Sequence, residues 1–198
     1  IEISDTVTSI GYCQFRGFDN VISFTIPSSV TTIGSGAFYN CTSLASITIP
    51  KSVTTIESHA FSNCTSLTSI TIPDTVTIIG NRCIHFCENL QEVVLQGSSV
   101  ELGNDNFYCC KKIKELHMES VRSIGEGCFV GLDDCDIYLS KDLESIGKGS
   151  LLSLDGTSMR LHIQKGSSGA KVLNTFIEIE KADSVNGKYY NNVSVIEE

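Results

Sequence analysis

A period of 23 residues runs through most of this chain, and it restricts the possible folds more than any other feature. One unit reads Val30-Thr-Thr-Ile33-Gly34-Ser-Gly36-Ala37-Phe38-Tyr-Asn40-Cys41-Thr-Ser-Leu44-Ala-Ser-Ile47-Thr-Ile49-Pro50. Val53 to Pro73 repeats it almost letter for letter, with Ile56, Ala60, Phe61, Asn63, Cys64, Leu67, Ile70 and Ile72 in the same slots. Upstream, Val7, Ile10, Gly11, Phe15, Val21, Phe24 and Ile26 fall in register. Downstream, Val76, Ile79, Gly80, Ile84, Cys87, Leu90, Val93 and Leu95 do the same. Three looser units follow from Leu102, Val121 and Leu143, with one-residue slips, and the pattern ends at Ile163.

Elementary geometry turns this pattern into a coil. In Leu44-x-x-Ile47-x-Ile49 the last apolar residues alternate with polar ones, the period of a half-buried strand, and Pro50 ends it by lacking an amide donor. Val30-x-x-Ile33 supplies a second inward edge, and Gly34 and Gly36 permit a tight corner. Ala37-Phe38 provides an apolar plug. One such turn cannot bury its own apolar side, so neighbours must stack. The expected fold is a β-rich repeat solenoid of about seven turns with short parallel strands.

The string Ile-Gly-x-x-Ala-Phe-x-x-Cys-x-x-Leu-x-x-Ile-x-Ile-Pro-x-x-Val resembles the BspA-like (Treponema-type) leucine-rich repeat, over residues 7–163. The resemblance implies a right-handed solenoid on secreted or cell-surface proteins, used for adhesion and for binding host or matrix proteins.

Two segments are expected, a leucine-rich-repeat solenoid over 1–163 and a C-terminal β cap, or the start of a further β segment, over 164–198. In the latter, Thr175-Phe-Ile-Glu-Ile-Glu180 and Asn192-Val-Ser-Val-Ile196 alternate as strands, and Val185-Asn-Gly-Lys-Tyr-Tyr190 carries a hairpin signal. The chain begins at Ile1 without an initiator Met or a basic, then apolar leader, which reads as a fragment whose targeting segment lies outside it.

Nine cysteines raise the question of disulfides or metal. Cys41, Cys64, Cys87 and Cys110 recur at the repeat period, in a slot held by Phe18 and Leu132 in the end turns, so they read as reduced core thiols. Cys13, Cys83, Cys109, Cys128 and Cys135 share no column, and no paired C-x-x-C knuckle of a zinc site is present. His117 and His162 share an outward slot two turns apart, about 10 Å, too far to bind one ion. No metal or cofactor is expected. Nor is catalysis: the chain holds no G-x-S-x-G, HExxH, P-loop or G-x-G-x-x-G signature, and Gly125-Glu-Gly127 is the repeat's own corner.

The net charge of -9 excludes a nucleic-acid backbone as natural partner, and no apolar run is long enough to span a membrane. A protein partner remains, and strand register says where it would sit. Outward slots hold Ser23, Thr25, Ser46, Thr48, Ser69 and Thr71 in the first three turns, a flat hydroxyl surface. Later turns place Glu92 with Val94, Glu115 with His117, Asp136 with Tyr138, and Arg160 with His162. Charge follows the same division, with 7 charged side chains in residues 1–80 and 30 in 81–198. The candidate ligand face is therefore Glu92, Glu115, His117, Asp136, Tyr138, Arg160 and His162. A spacer stalk or an intracellular scaffold remains the alternative use of such a solenoid.

Overall fold

The structure is a computed structural model in which residues 1–152, 158–183 and 193–198 are described. Each coil contributes two short strands. In the first half these are β1 (Ser9–Ile10), β2 (Ser23–Thr25), β3 (Thr32–Ile33), β4 (Ser46–Thr48), β5 (Thr55–Ile56), β6 (Ser69–Ile72), β7 (Ile78–Ile79) and β8 (Glu92–Leu95). The second half adds β9 (Val100–Leu102), β10 (Glu115–Met118), β11 (Val121–Ile124), β12 (Cys135–Leu139), β13 (Ser145–Ile146) and β14 (Met159–Ile163).

The odd-numbered strands form a seven-stranded parallel sheet in the order β1-β3-β5-β7-β9-β11-β13. Register aligns Ile10, Ile33, Ile56, Ile79, Leu102, Ile124 and Ile146 in one column. A bulge between Val121 and Ser123 absorbs the one-residue slip seen in the sequence. The even-numbered strands form a second parallel stack, paired as β2-β4, β6-β8 and β10-β12-β14. Inward residues of both stacks join in one core. Phe38, Phe61, Phe107 and Phe129 are fully buried within it, and Phe15, Phe38 and Phe61 stack at 5.5 Å between successive ring centres.

Corners close by a device that glycine counting underestimates. Cys13, Gly36, His59, Arg82, Asp105, Gly127 and Gly149 occupy the same slot in successive coils, and all have positive φ. Gly17, Asn40, Asn63, Phe86, Cys109 and Gly131 form a second such column. The left-handed conformation turns each amide toward the next coil: Gly36 N donates to Ser58 O, His59 N to Asn81 O, and Asn40 N to Ser62 O. An L-residue there costs about 1–2 kcal/mol, and the inter-coil hydrogen bond offsets much of it. Gly34 serves a different purpose. Its φ is ordinary, but a Cβ would lie 2.7 Å from Ile10 O of the preceding coil.

The cysteine column is buried, and none of the nine cysteines is in a disulfide. Cys41, Cys64, Cys87 and Cys110 donate to the carbonyls of Phe15, Phe38, Phe61 and Ile84 at 3.1–3.3 Å. Burial raises the thiol pKa of Cys41, Cys64 and Cys110, which disfavours reactive thiolate. The expectation that Cys83 and Cys128 share no column is corrected. They stand in the slot of Ala37, Ala60, Asn106 and Ser150, where Cys128, Asn106 and Ser150 donate to the corner carbonyls of Gly103, Gly80 and Gly125. A one-residue slip after Asn106 hid that alignment.

The strand expected over Thr175–Glu180 is also corrected. Thr175–Glu180 lies inside a helix, α1 (Ser168–Asp183), not a strand. Ala170, Leu173 and Phe176 recur at helical spacing and are buried against the last coil. Ser167 Oγ accepts from Ala170 N at 3.1 Å, an N-cap. The Phe-Ile-Glu-Ile-Glu alternation misleads because its Ile179 points to solvent, 55% exposed. The final strand, β15 (Val193–Glu197), falls where alternation predicts one, and it adds parallel to β14. The Val185–Tyr190 hairpin signal lies outside the described residues. No helix among the described residues is long and apolar enough to cross a membrane.

Two outcomes follow from this packing. A thiol reagent labels one cysteine of the native protein quickly, the half-buried Cys13, and the other eight only on unfolding; rapid native labelling of Cys64 or Cys87 contradicts the buried column. Gly80→Ala destabilises by about 1–3 kcal/mol in urea titration, because the added Cβ would meet Ser58 N at 2.4 Å.

Candidate functional site

Parallel strands in register bring like positions of successive coils side by side, and on the outward face of β10, β12 and β14 those positions carry functional side chains. Glu115, Asp136 and Arg160 make one row; His117, Tyr138 and His162 make the next. Strand β15 extends both rows with Ser194 and Ile196. Strand spacing of about 4.8 Å is close to that of stacked rings, and the rings do stack. The Tyr138 ring lies 4.6 Å from His117 at 5° and 4.4 Å from His162 at 20°. The two imidazoles that spacing sets too far apart for one ion are thus joined through the tyrosine between them.

Polar contacts fix the same group. Arg160 donates through Nε and Nη2 to the two Asp136 oxygens at 2.7 and 2.5 Å, a bidentate pair. His162 Nε2 lies 2.8 Å from Asp136 Oδ1, and its Nδ1 3.0 Å from Glu198 Oε1. With both nitrogens against carboxylates, the charged imidazolium is favoured, and the Asp136 hydrogen bond is the main cause of a raised His162 pKa. The hydrogen bonds from Arg160 and then His162 hold the Asp136 carboxyl down at about 2. His117 sits between two acids of its own strand segment, with Nδ1 3.1 Å from Glu119 and Nε2 3.9 Å from Glu115. Burial, with Glu115 and Asp136 nearby, raises the Tyr138 phenol.

Six of the seven expected face residues therefore form one contiguous group, and Glu92 stands apart. Glu92 pairs in register with Ser69 on β6, and its side chain makes no hydrogen bond or ion pair among the described residues. It borders a shallow groove of about 820 Å³ together with Glu115, His117 and Lys111. Two lysines on that rim are engaged: Lys112 Nζ donates to Asn89 Oδ1 and Lys114 Nζ to Asp133 O, both at 2.6 Å. At the strands' exit ends lies a second hollow of about 420 Å³, bordered by Glu119, Tyr138, Asp142, His162 and Glu198. Sequence reading misses Glu119 and Glu198 because they sit just past the alternating strand positions.

It also misses an aromatic group on the corner segments. His85 stacks on Tyr108 at 5.1 Å and meets Phe86 edge-on at 4.5 Å. The available signal is the repeat itself, since positions 85 and 108 occupy one slot. Burial and the Arg82 charge lower the His85 pKa. Among the described residues, no three or more His, Cys, Asp or Glu side chains are placed to hold a metal ion. Chemically the strand face offers ring edges, carboxylates and one neutralised guanidinium, with Asp136, Tyr138, Arg160 and His162 held by their mutual contacts.

The chain matches the BspA type leucine rich repeat region, with 6 copies, over residues 1–104 and 64–165. A leucine-rich-repeat protein of T. pallidum is similar in structure, with a TM-score of 0.61 and 25% identity, over 74% of this chain and 69% of that one. Another, from Bacteroides ovatus, has a TM-score of 0.54 and 27% identity over 81% of this chain; the match spans 54% of that protein's length. No curated protein matches the sequence.

The electrostatics have a pH signature. His162 has a folded pKa above the ordinary 6.5, so its stabilising contribution is complete below that value and is lost as pH rises through the raised pKa. Asp136, held at about 2, contributes above its ordinary 3.8 and loses that contribution as pH falls through about 2. NMR titration is expected to place His162 above 6.5, with His59 and His85, both lowered chiefly by burial, below it. Amides of Val193–Glu197, a strand tied to His162 through Glu198, then exchange faster above the His162 pKa than intrinsic base catalysis explains. A His162 titration at or below 6.5 contradicts this account.

Proposed function

This chain belongs to the BspA-type leucine-rich-repeat family, and from that premise we propose that it is a non-enzymatic binding module of a cell-surface or secreted protein. It engages a protein of the host or matrix through the outward face of β8, β10, β12 and β14. The leucine-rich-repeat fold itself points to a protein-interaction module. The observation that carries the finer reading is the stacked His117–Tyr138–His162 column with Asp136 and Arg160 locked beside it. Ordering long polar side chains on binding costs about 0.5–1.5 kcal/mol each, and here most of that ordering precedes binding. Tyr and Arg are also the residue types that dominate interface energies.

A spacer role suits the first three coils better, where the outward slots are Ser23, Thr25, Ser46, Thr48, Ser69 and Thr71. The two uses are compatible along one solenoid, with a hydroxyl-covered stem and a chemically varied end.

Capture of proteins from extracellular matrix by the immobilised chain tests the reading. Glu115→Lys, Tyr138→Ala and Arg160→Glu each reduce capture by about tenfold or more if the face is the contact, the scale of an interface hot spot, while Ser46→Lys on the stem leaves it unchanged. Equal capture by wild type and all three face variants overturns the proposal.

A further inference from the structure

Resting on the strand face as the contact surface, we infer that its partner presents a cationic side chain, arginine above all, to the hollow beside Tyr138 and His162. The face carries two positive groups at its centre, and both are already committed. Arg160 is bound through Nε and Nη2 to Asp136, and His162 lies between Asp136 and Glu198. The carboxylates at the exit ends of the strands are in the opposite condition. Glu119 and Glu198 have side chains 57% and 64% exposed, and among the described residues each meets only a histidine. Both border the hollow of about 420 Å³, as does Asp142, and Lys141 is the single lysine of that lining.

The hollow therefore has three carboxylates against one lysine and a shared imidazolium. Part of one wall is the edge of the Tyr138 ring, whose two faces are covered by His117 and His162. A planar guanidinium suits this lining better than an ammonium, since it can hydrogen-bond a carboxylate in two places. Overall charge acts in the same direction: a chain at -9 repels acidic partners and attracts basic ones at long range. Lys111, Lys112 and Lys114 lie along the entry side of β10, away from this hollow. The acidic hollow and the three lysines thus stand on opposite flanks of the sheet face.

The test uses the whole chain and an N-acetylated, C-amidated glycine–serine pentapeptide with one central arginine, followed by NMR of the Tyr138 and His162 rings. The arginine peptide is expected to shift both rings, with affinity falling as salt is raised. Replacing arginine by neutral, isosteric citrulline weakens binding at least fivefold, and E119Q and E198Q each weaken it about threefold, the scale of an exposed ion pair. Unchanged Tyr138–His162 stacking in both variants shows that the face is still built. Equal binding of the citrulline peptide, or full affinity in the doubly substituted chain, overturns the inference. That failure is separate from failure of the strand-face reading, which is decided by matrix capture with Tyr138→Ala and Arg160→Glu.

Discussion

Backbone hydrogen bonding between successive coils is the constraint on which everything else in this molecule rests. A single coil has two strands of two to five residues, far too little to bury an apolar face or satisfy its own amides. Stacking meets both needs at once, and it does so in corners as well as strands. The two columns of left-handed residues send their amides to the next coil's carbonyls, so the irregular part of each turn is knitted as firmly as the sheets. Each such bond contributes only about 0.5–1.5 kcal/mol net, but the whole stack shares them, and a register error in one coil would displace every column at once.

The candidate face is a by-product of that register. Nothing local holds Tyr138 between two histidines; the parallel pairing of β10, β12 and β14 puts it there, at a spacing that strands and stacked rings share. The same pairing sets Arg160 beside Asp136, so the electrostatics of the face follow from the coil period. This is also why the first three coils and the last four can differ in chemistry without differing in fold. Outward slots are free of core duties, and Ser46 or Asp136 serves the solenoid equally well.

Most of the fold was legible because the repeat states each core requirement several times. Ile33, Ile56 and Ile79, or Phe38 and Phe61, identify inward slots without any structural input. Legibility failed where repetition stopped. Thr175–Glu180 has both a strand's alternation and a helix's apolar spacing, and tertiary contact of Ala170, Leu173 and Phe176 with the last coil decides for the helix. Cys83 and Cys128 escaped alignment through a one-residue slip. For the face, register gave the rows, but not the stacking, the Asp136–Arg160–His162 network or the flanking Glu119 and Glu198. Those depend on side-chain reach across coils, which spacing alone does not encode.

The most direct measurement of the central claim, that coil register builds a rigid face, is the set of proton–proton Overhauser contacts of the Tyr138 ring. Cross-peaks to the imidazole protons of both His117 and His162, one from each neighbouring coil, are expected. Contacts to only one imidazole, or to neither in an otherwise folded protein, would contradict it.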